Sequence, residues 1–460
     1  MSSSVPDSQV ALVGLGVENR ALAGWLARHG NRFSVCDADP QCQDRIRSDP
    51  GAAAWVSAVD HWQLGEQYLQ GLGAFDVLYR SPGVWARHPR LMDAQQSGSL
   101  ISSQTQLFLD LCPALVVGIT GTKGKGTTAT MLATILTRAE MPHRLAGNIG
   151  IPPIDFLDEL DSQEVIVLEL SSFQLQDLTR SPQGAIVLPI DTDHLDVHAD
   201  RYEYVEAKRS ISRFQTASDW VVVAAESETA VNVTGSSKAR RLLAGGSAPT
   251  KDEGTWVHDD QILCRIDGQE RVVAPVEALS MRGRHNLGNA CAASAAAILL
   301  GAKTEQIEAG LRAFEPLPHR LEEVDTVGGV LFVNDSLGTT PESSAAAIDA
   351  YADRPLVAIV GGSSKGAQYD ALGDALARRA TALVLLGDEG PRIAESAHRA
   401  GFQGAVAQAI GMEIAVAVAR RLTPEGGVVL LAPACASFGM FRDYAQRGEA
   451  FRQAVKQLPR

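Results

Sequence analysis

The stretch GITGTKGKGTT, residues 118–128, has the makings of a phosphate cradle. Glycines at 118, 121 and 124 let successive backbone N–H groups face one anion at a helix N-terminus. Lys125 then adds a point charge where the outer phosphates of a nucleotide would lie. Two details depart from the usual spacing: Ile119 stands where a glycine is expected, and Gly126 where a hydroxyl would follow the lysine.

Further along, LELSSFQLQ (168–176) sets Glu169 at the end of an apolar run, where a carboxylate is a natural oxygen ligand for Mg²⁺. DTDHLDVH (191–198) gathers Asp193, His194, Asp196 and His198, but no second histidine or cysteine cluster completes a zinc site. Lys208, ten residues after His198, reads by itself as a solvated helix lysine. GLGVENRA offers Gly14 and Gly16 of a dinucleotide fingerprint without its third glycine, and Asp37 ends the next apolar run, where an acid would meet a ribose or base. In YRSPGV (79–84), Ser81 and Gly83 can offer a hydroxyl and a backbone N–H, or form a plain Pro-Gly turn.

These residues need a scaffold, and the chain repeats one device. Apolar β-branched runs meet glycine turns at VALVGLG (10–16), LVVGITGTKGKG (115–126) and LVAIVGGSSKG (356–366), each followed by helical periodicity. Strand, glycine turn and helix open a doubly wound parallel sheet, so the class is α/β. EVIVLEL, GAIVLPI, WVVVAA, TALVLLG and GVVLLAPA read as further buried strands. A chain of 460 residues exceeds one core, and boundaries are expected near residues 105 and 316. The net charge of −13 argues against a nucleic-acid or anionic-membrane surface. No signal peptide is expected, and the Ala-rich run at 290–302 is too short to span a bilayer. Cys36, Cys42, Cys112, Cys264, Cys291 and Cys435 show no paired spacing and read as small core residues in a reducing cytosol.

TGTKGKGTT, ELSSFQLQ, DHLDVH, YVEAK, RHNLGNACAA, LPHRLE, NDS and APACASF…F…RG follow one another in the order seen in the Mur ligases of peptidoglycan synthesis. The chain resembles that family along nearly its whole length, and most of all its glutamate-adding members. The resemblance implies three domains: a Rossmann-like UDP-binding domain over 1–105, a central phosphate-loop ATPase over 106–316, and a Rossmann-like amino-acid domain over 317–460. It implies a cytoplasmic ligase that uses ATP and two Mg²⁺ ions; a monomer is the default expectation. The expected substrates are UDP-MurNAc-L-Ala and glutamate, joined through an acyl phosphate.

The resemblance also implies roles. Gly121, Thr122, Lys123, Gly124, Lys125, Gly126 and Thr127 would hold phosphates, with Asn286, Asn289, Arg320 and Asp335 at the adenine, ribose and γ-phosphate of ATP. Thr127, Glu169 and His194 would bind Mg²⁺, joined by Lys208 at a position carbamylated in the family. Lys125, His194, Lys208, Arg320 and Asp335 form the expected catalytic set. Gly14, Gly16, Asp37, Ser81, Gly83, Asn148 and Ser171 match the sugar-nucleotide site. Thr339, Lys365, Ser437 and Tyr444 match the glutamate site.

The departures are Gly126, Pro189 in place of a frequent Asn, and Leu337 in place of a frequent Lys after NDS. NDSLGTTPESS (334–344) and SFGMFRDY (437–444) look more like the branch of the family that adds L-glutamate, while D-glutamate is the default. Two other readings are a folylpolyglutamate-synthase-like ligase and a UDP-sugar-binding protein impaired in catalysis. The leading VGLG, Asp37 and SPG features oppose the first, and the joint presence of Lys125, Glu169, His194, Lys208, Arg320 and Asp335 opposes the second.

Overall fold

The structure, a computed structural model, describes residues 9–147, 151–190, 201–245, 252–279, 281, 284–315, 318–351, 353–363, 367, 369–437 and 439–459. Among the described residues there are three sheets, and each expected glycine-turn strand lies in the interior of one of them, flanked by parallel neighbours. The first joins β1 (Val10–Val13), β2 (Phe33–Asp37), β3 (Val59–Leu64), β4 (Val77–Arg80) and β5 (Leu100–Ser102) in the order β3-β2-β1-β4-β5, all parallel. The chain leaves β1 in one direction and returns on its other side, so the ends of β1 and β4 flank a switch point where ligands lodge in such sheets.

The second sheet runs β6 (Leu115–Thr120), β7 (His143–Gly147), β8 (Val165–Glu169), β9 (Gly184–Val187), β10 (Trp220–Ala224), β11 (Arg240–Ala244), β12 (Gly254–His258), β13 (Gln261–Ile266) and β14 (Gln269–Pro275). Their order is β14-β13-β12-β11-β10-β9-β6-β8-β7. The phosphate-loop candidate leaves β6 between β8 and β9, again at the point where the order reverses. The sheet is parallel up to β12 and ends in two antiparallel hairpins. Their turns carry paired positive φ values, Asp259-Asp260 at 46° and 56° and Asp267-Gly268 at 54° and 73°, the backbone that a two-residue hairpin turn requires.

The third sheet contains β15 (Glu322–Val327), β16 (Val330–Asn334), β17 (Leu356–Gly361), β18 (Ala380–Leu386), β19 (Ala405–Gln408) and β20 (Val428–Leu431), ordered β15-β16-β20-β17-β18-β19. Only β15 is antiparallel, turning into β16 at Gly328-Gly329 with φ of 56° and 74°.

The chain divides into two compact units: 1–278 with 287–313, and 279–286 with 314–460. The first unit contains two sheets on one continuous apolar core. Trp25, on helix Val17–Arg28, stacks on His29 and donates its Nε1–H to Asp158, while Phe108 meets Phe156 edge-on. In the second unit a separate cluster, with Phe332, Ile359, Val384, Leu431 and Phe451 among its members, covers the third sheet.

Candidate active site

β6 is an apolar strand that reaches the loop with Thr120, and helix Lys125–Arg138 begins after the four residues 121–124. Between them Gly121 has φ of 153° and Gly124 φ of 84°. A Cβ on Gly121 would stand 2.6 Å from Leu188 Cβ, and one on Gly124 would stand 2.4 Å from Asn289 Oδ1. Both positions therefore require glycine, and Asn289 packs directly on the loop. Lys125 Nζ donates to the carbonyls of Gly121 and Thr122, each at 3.1 Å, so its charge lies over the cradle. Thr122 is fixed twice: its N–H donates to Pro189 O at 2.9 Å, and its hydroxyl pairs with that of Tyr204 at 2.9 Å. At position 189 it is the backbone carbonyl that is used, which proline retains. Thr127 Oγ1 is buried and has no hydrogen-bond partner among the described residues. An orphaned hydroxyl beside an anion cradle fits a place in a Mg²⁺ shell, one position beyond Gly126.

Lys208 is not on a solvated face. It is 1% exposed on helix Arg201–Arg209, and its Nζ donates to Thr120 Oγ1 at 3.3 Å and Gly121 O at 3.1 Å. Its ammonium also lies 4.6 Å from the centre of the Tyr204 ring. Thr120 donates its own hydroxyl proton to Leu170 O at 3.0 Å, which ties the ends of β6 and β8 together. Glu169 lies on the same sheet edge, buried, beside Ile119 in the register of the two strands. Its carbonyl is so close to Gly147 that a Cβ there would stand 2.2 Å away. The structure thus brings Lys125, Thr127, Glu169 and Lys208 to the carboxyl edge of one sheet. His194, Asn148 and Lys365 lie outside the described residues. Among the described residues no group of three or more His, Cys, Asp or Glu forms a metal cluster, and no helix is long and apolar enough to cross a membrane.

At the first sheet the two predicted turns touch. A Cβ on Gly14 (φ 77°) would stand 2.7 Å from Val84 Cγ2, and one on Gly16 would stand 2.9 Å from Ser81 Oγ. Asp37 accepts the N–H of Leu15 at 2.6 Å and that of Asp39 at 2.9 Å, so both its oxygens fix the local backbone. Gly83 has open space around it.

Two residues missed by sequence reasoning hold these turns. Asn19, fully buried, donates to Gly14 O at 2.8 Å and Tyr79 O at 2.9 Å. Arg80 is 1% exposed; it donates to Ser81 O and Phe173 O and pairs with Asp177 at 2.6 Å. An asparagine in a first helical turn and an arginine ending an apolar strand were the available signals. Ser171, on the loop after β8, caps the short helix Ser172–Leu175 in a reciprocal pair with Gln174.

In the second unit Asp335 follows β16. Its Oδ1 accepts the Leu321 N–H at 3.1 Å, and a Cβ on Gly338 would stand 2.4 Å from its Oδ2. Arg447, also missed, is 1% exposed and donates to Ser336 Oγ at 2.9 Å, Ser336 O at 2.8 Å and Cys435 O at 3.0 Å. It therefore binds the loop after β16 to the loop after β20. Burial lowers its pKa to about 10, which leaves it charged at neutral pH. Ser437 is buried on the second of these loops, Tyr444 opens helix Tyr444–Lys456 at 42% exposure, and Thr339 and Arg320 are half-buried. Thr340 and Pro341 have a structural explanation: the Thr340 hydroxyl accepts the Ser343 N–H at 3.3 Å, and Pro341 is the first residue of helix Pro341–Asp349. Asn286 is buried on helix Arg284–Leu299, which also carries Asn289.

Comparison with known proteins gives a consistent picture. Residues 119–297 match the Mur ligase middle domain, and residues 319–435 match the glutamate ligase domain of Mur ligases. A UDP-N-acetylmuramoylalanine–D-glutamate ligase of Symbiobacterium thermophilum is 37% identical over 98% of either chain. A UDP-N-acetylmuramoyl-L-alanine–L-glutamate ligase of Salinispora tropica is 35% identical over 99% of this chain and 98% of its own. Among solved structures, a pseudomurein peptide ligase type C from Methanothermus fervidus superposes with a TM-score of 0.60 at 16% identity, covering 98% of this chain and all of that one. The UDP-N-acetylmuramate–alanine ligase of Thermotoga maritima gives 0.58 at 18% identity, over 98% and 99%.

Proposed function

Since the chain belongs to the Mur ligase family, ADP-forming ligases of acids with amino acids, we propose that it joins D-glutamate to UDP-MurNAc-L-Ala in the cytoplasm, as a monomer. The observation that carries this reading is the gathering of Lys125, Thr127, Glu169 and Lys208 around one glycine loop at the switch point of the central sheet. We divide the chain as one sheet per domain, at 1–105, 106–316 and 317–460.

A carboxylate is a poor acyl donor until one of its oxygens can leave as phosphate. The terminal carboxylate of the sugar nucleotide attacks the γ-phosphorus of ATP, and the bond to ADP breaks. The glutamate nitrogen then attacks the acyl carbon and loses a proton, and phosphate departs with the former carboxylate oxygen. The protein contributes position and charge.

The loop N–H groups from Gly121 to Gly126 and the Lys125 ammonium hold the outer phosphates. Asn286, Asn289, Arg320 and Asp335 are assigned to the adenine, ribose and γ-phosphate of ATP. Thr127, Glu169 and His194 would hold Mg²⁺, which when bound neutralises phosphoryl charge. Lys208, 3.1 Å from Gly121 O, joins that set if it is carbamylated, since a carbamate converts its cation into anionic oxygens. The contacts of Gly14, Gly16, Asp37, Ser81, Gly83, Asn148 and Ser171 are assigned to the sugar nucleotide, and those of Thr339, Lys365, Ser437 and Tyr444 to glutamate.

A second reading keeps the reaction and changes the amino acid to L-glutamate. Leu337 and Gly439 support it, as does the 35% identity to the Salinispora tropica enzyme. Thr340 and Pro341 lend it no weight, because the helix cap accounts for both. Mass spectrometry of the product made with each enantiomer separately decides between them. Product with D alone supports the proposal, and product with L alone replaces it by the second reading.

A further inference from the structure

A side-chain relay joins the glycine turn after β1 to the Ser171 loop after β8. Glu18 is the second residue of helix Val17–Arg28, two positions beyond Gly16. Its Oε1 accepts a hydrogen bond from Gln174 Nε2 at 2.7 Å. The other end of the same amide, Gln174 Oε1, accepts the Ser171 N–H at 2.8 Å, and the Gln174 N–H donates to Ser171 Oγ at 3.3 Å. One amide thus carries the contact from the turn to the loop. Glu18 Oε2 is buried and has no hydrogen-bond partner among the described residues.

The charged groups facing Glu18 are Arg80 from β4 and Asp177 from beyond the Ser171 helix, and they are committed to each other at 2.6 Å. A carboxylate in a first helical turn ordinarily sits in water and complements the helix end. Here it is turned inward, at the helix end that the proposed sugar nucleotide would address with its diphosphate.

We propose that Glu18 is a positioning residue for the sugar nucleotide, holding the glycine turn and the Ser171 loop in register through Gln174. This rests on the sugar-nucleotide reading given above. Burial raises the Glu18 carboxyl from its ordinary 4.5 to about 7. The folded carboxyl is therefore neutral and easily buried at acid pH and gains its charge as pH rises through about 7. Above that pH the relay contains a buried charge with one unmatched oxygen, next to the place for an anionic ligand. The KM for the sugar nucleotide should therefore rise with pH, while the KM for ATP does not follow.

The test is steady-state kinetics of the full chain with ATP, glutamate and UDP-MurNAc-L-Ala across this pH range. Glu18→Ala is expected to raise the KM for UDP-MurNAc-L-Ala roughly five- to tenfold, the scale of one lost hydrogen bond, with the KM for ATP and kcat little changed. Glu18→Gln keeps the shape and a hydrogen bond to Gln174 while removing the charge, so its KM should stay low and flat with pH. An unchanged KM in Glu18→Ala, or the same pH profile in Glu18→Gln and the wild type, overturns the proposal while leaving the ligase reading intact. A wild-type enzyme that does not turn over UDP-MurNAc-L-Ala overturns both.

Discussion

At the scale of single residues, Lys208 is the one whose setting differs most from what its sequence neighbours suggest. Its sequence surroundings carry no sign that a lysine ten residues past a histidine cluster is buried, because helical periodicity does not record what the next element covers. Burial beside Thr120 and Gly121 gives it a place under the phosphate loop. Lys208→Ala should reduce kcat by about 100-fold or more, as removal of a preorganised charge at a phosphoryl site does. Added short-chain carboxylates should restore part of it if the working form is the carbamate. Wild-type rates in a folded Lys208→Ala variant would return the residue to a structural role.

Gly126 is the complementary case. Its departure from the common pattern is visible in the sequence, whereas the unmatched Thr127 hydroxyl beside it is not. Gly126→Ser should lower the Mg²⁺ concentration needed for half-maximal rate, and an unaltered requirement would show that the hydroxyl has no place in the metal shell.

At the scale of elements, the parallel strands and the glycine turns were legible because an apolar β-branched run followed by glycine has few other uses. The hairpins of β12 to β14 were not, although Asp267-Gly268 directly after the alternating run 261–266 is a hairpin signal in its own right. β13 alternates buried with half-buried residues and the first half of β14 is exposed, so both lack the continuous apolar character that marks the buried parallel strands.

Two glycines separate backbone strain from site geometry. Gly30 has φ of 74° with nothing within 4 Å of where a Cβ would stand, whereas Gly124 has φ of 84° and a Cβ there would press on Asn289. Gly30→Ala should cost about 1 kcal/mol of stability, the penalty for a left-handed L-residue, and leave kinetics unchanged. Gly124→Ala should carry a similar strain and in addition raise the KM for ATP at least tenfold; equal KM values in the two variants would mean that the loop does not hold ATP. Arg447 acts between elements too. Arg447→Ala removes a buried side chain and leaves the Ser336 and Cys435 carbonyls without their donors, so a loss of about 3 kcal/mol is expected in denaturant unfolding.

At the scale of the molecule, three glycine-turn motifs were readable as three sheets, but nothing in the sequence showed that two of them share one compact unit. The features responsible are long-range: Trp25 to Asp158, Glu18 to Gln174, and the buried pair of Arg80 and Asp177. No local pattern announces such contacts. With two units on separate cores, calorimetry should resolve two transitions. UDP-MurNAc-L-Ala at 100 times its Kd should stabilise the unit containing Gly14, Asp37 and Ser81 by about 2.7 kcal/mol. A shift confined to the other transition would misplace the sugar-nucleotide site.

As a ligase, this chain forms a peptide bond at the expense of ATP. Phosphate release from purified protein, followed while ATP, UDP-MurNAc-L-Ala and D-glutamate are omitted in turn, tests it most directly. Steady release is expected only with all three present, one phosphate for each new bond, and none from Lys125→Ala. Release that ignores the amino acid, or no release with the complete mixture and either enantiomer, would contradict it.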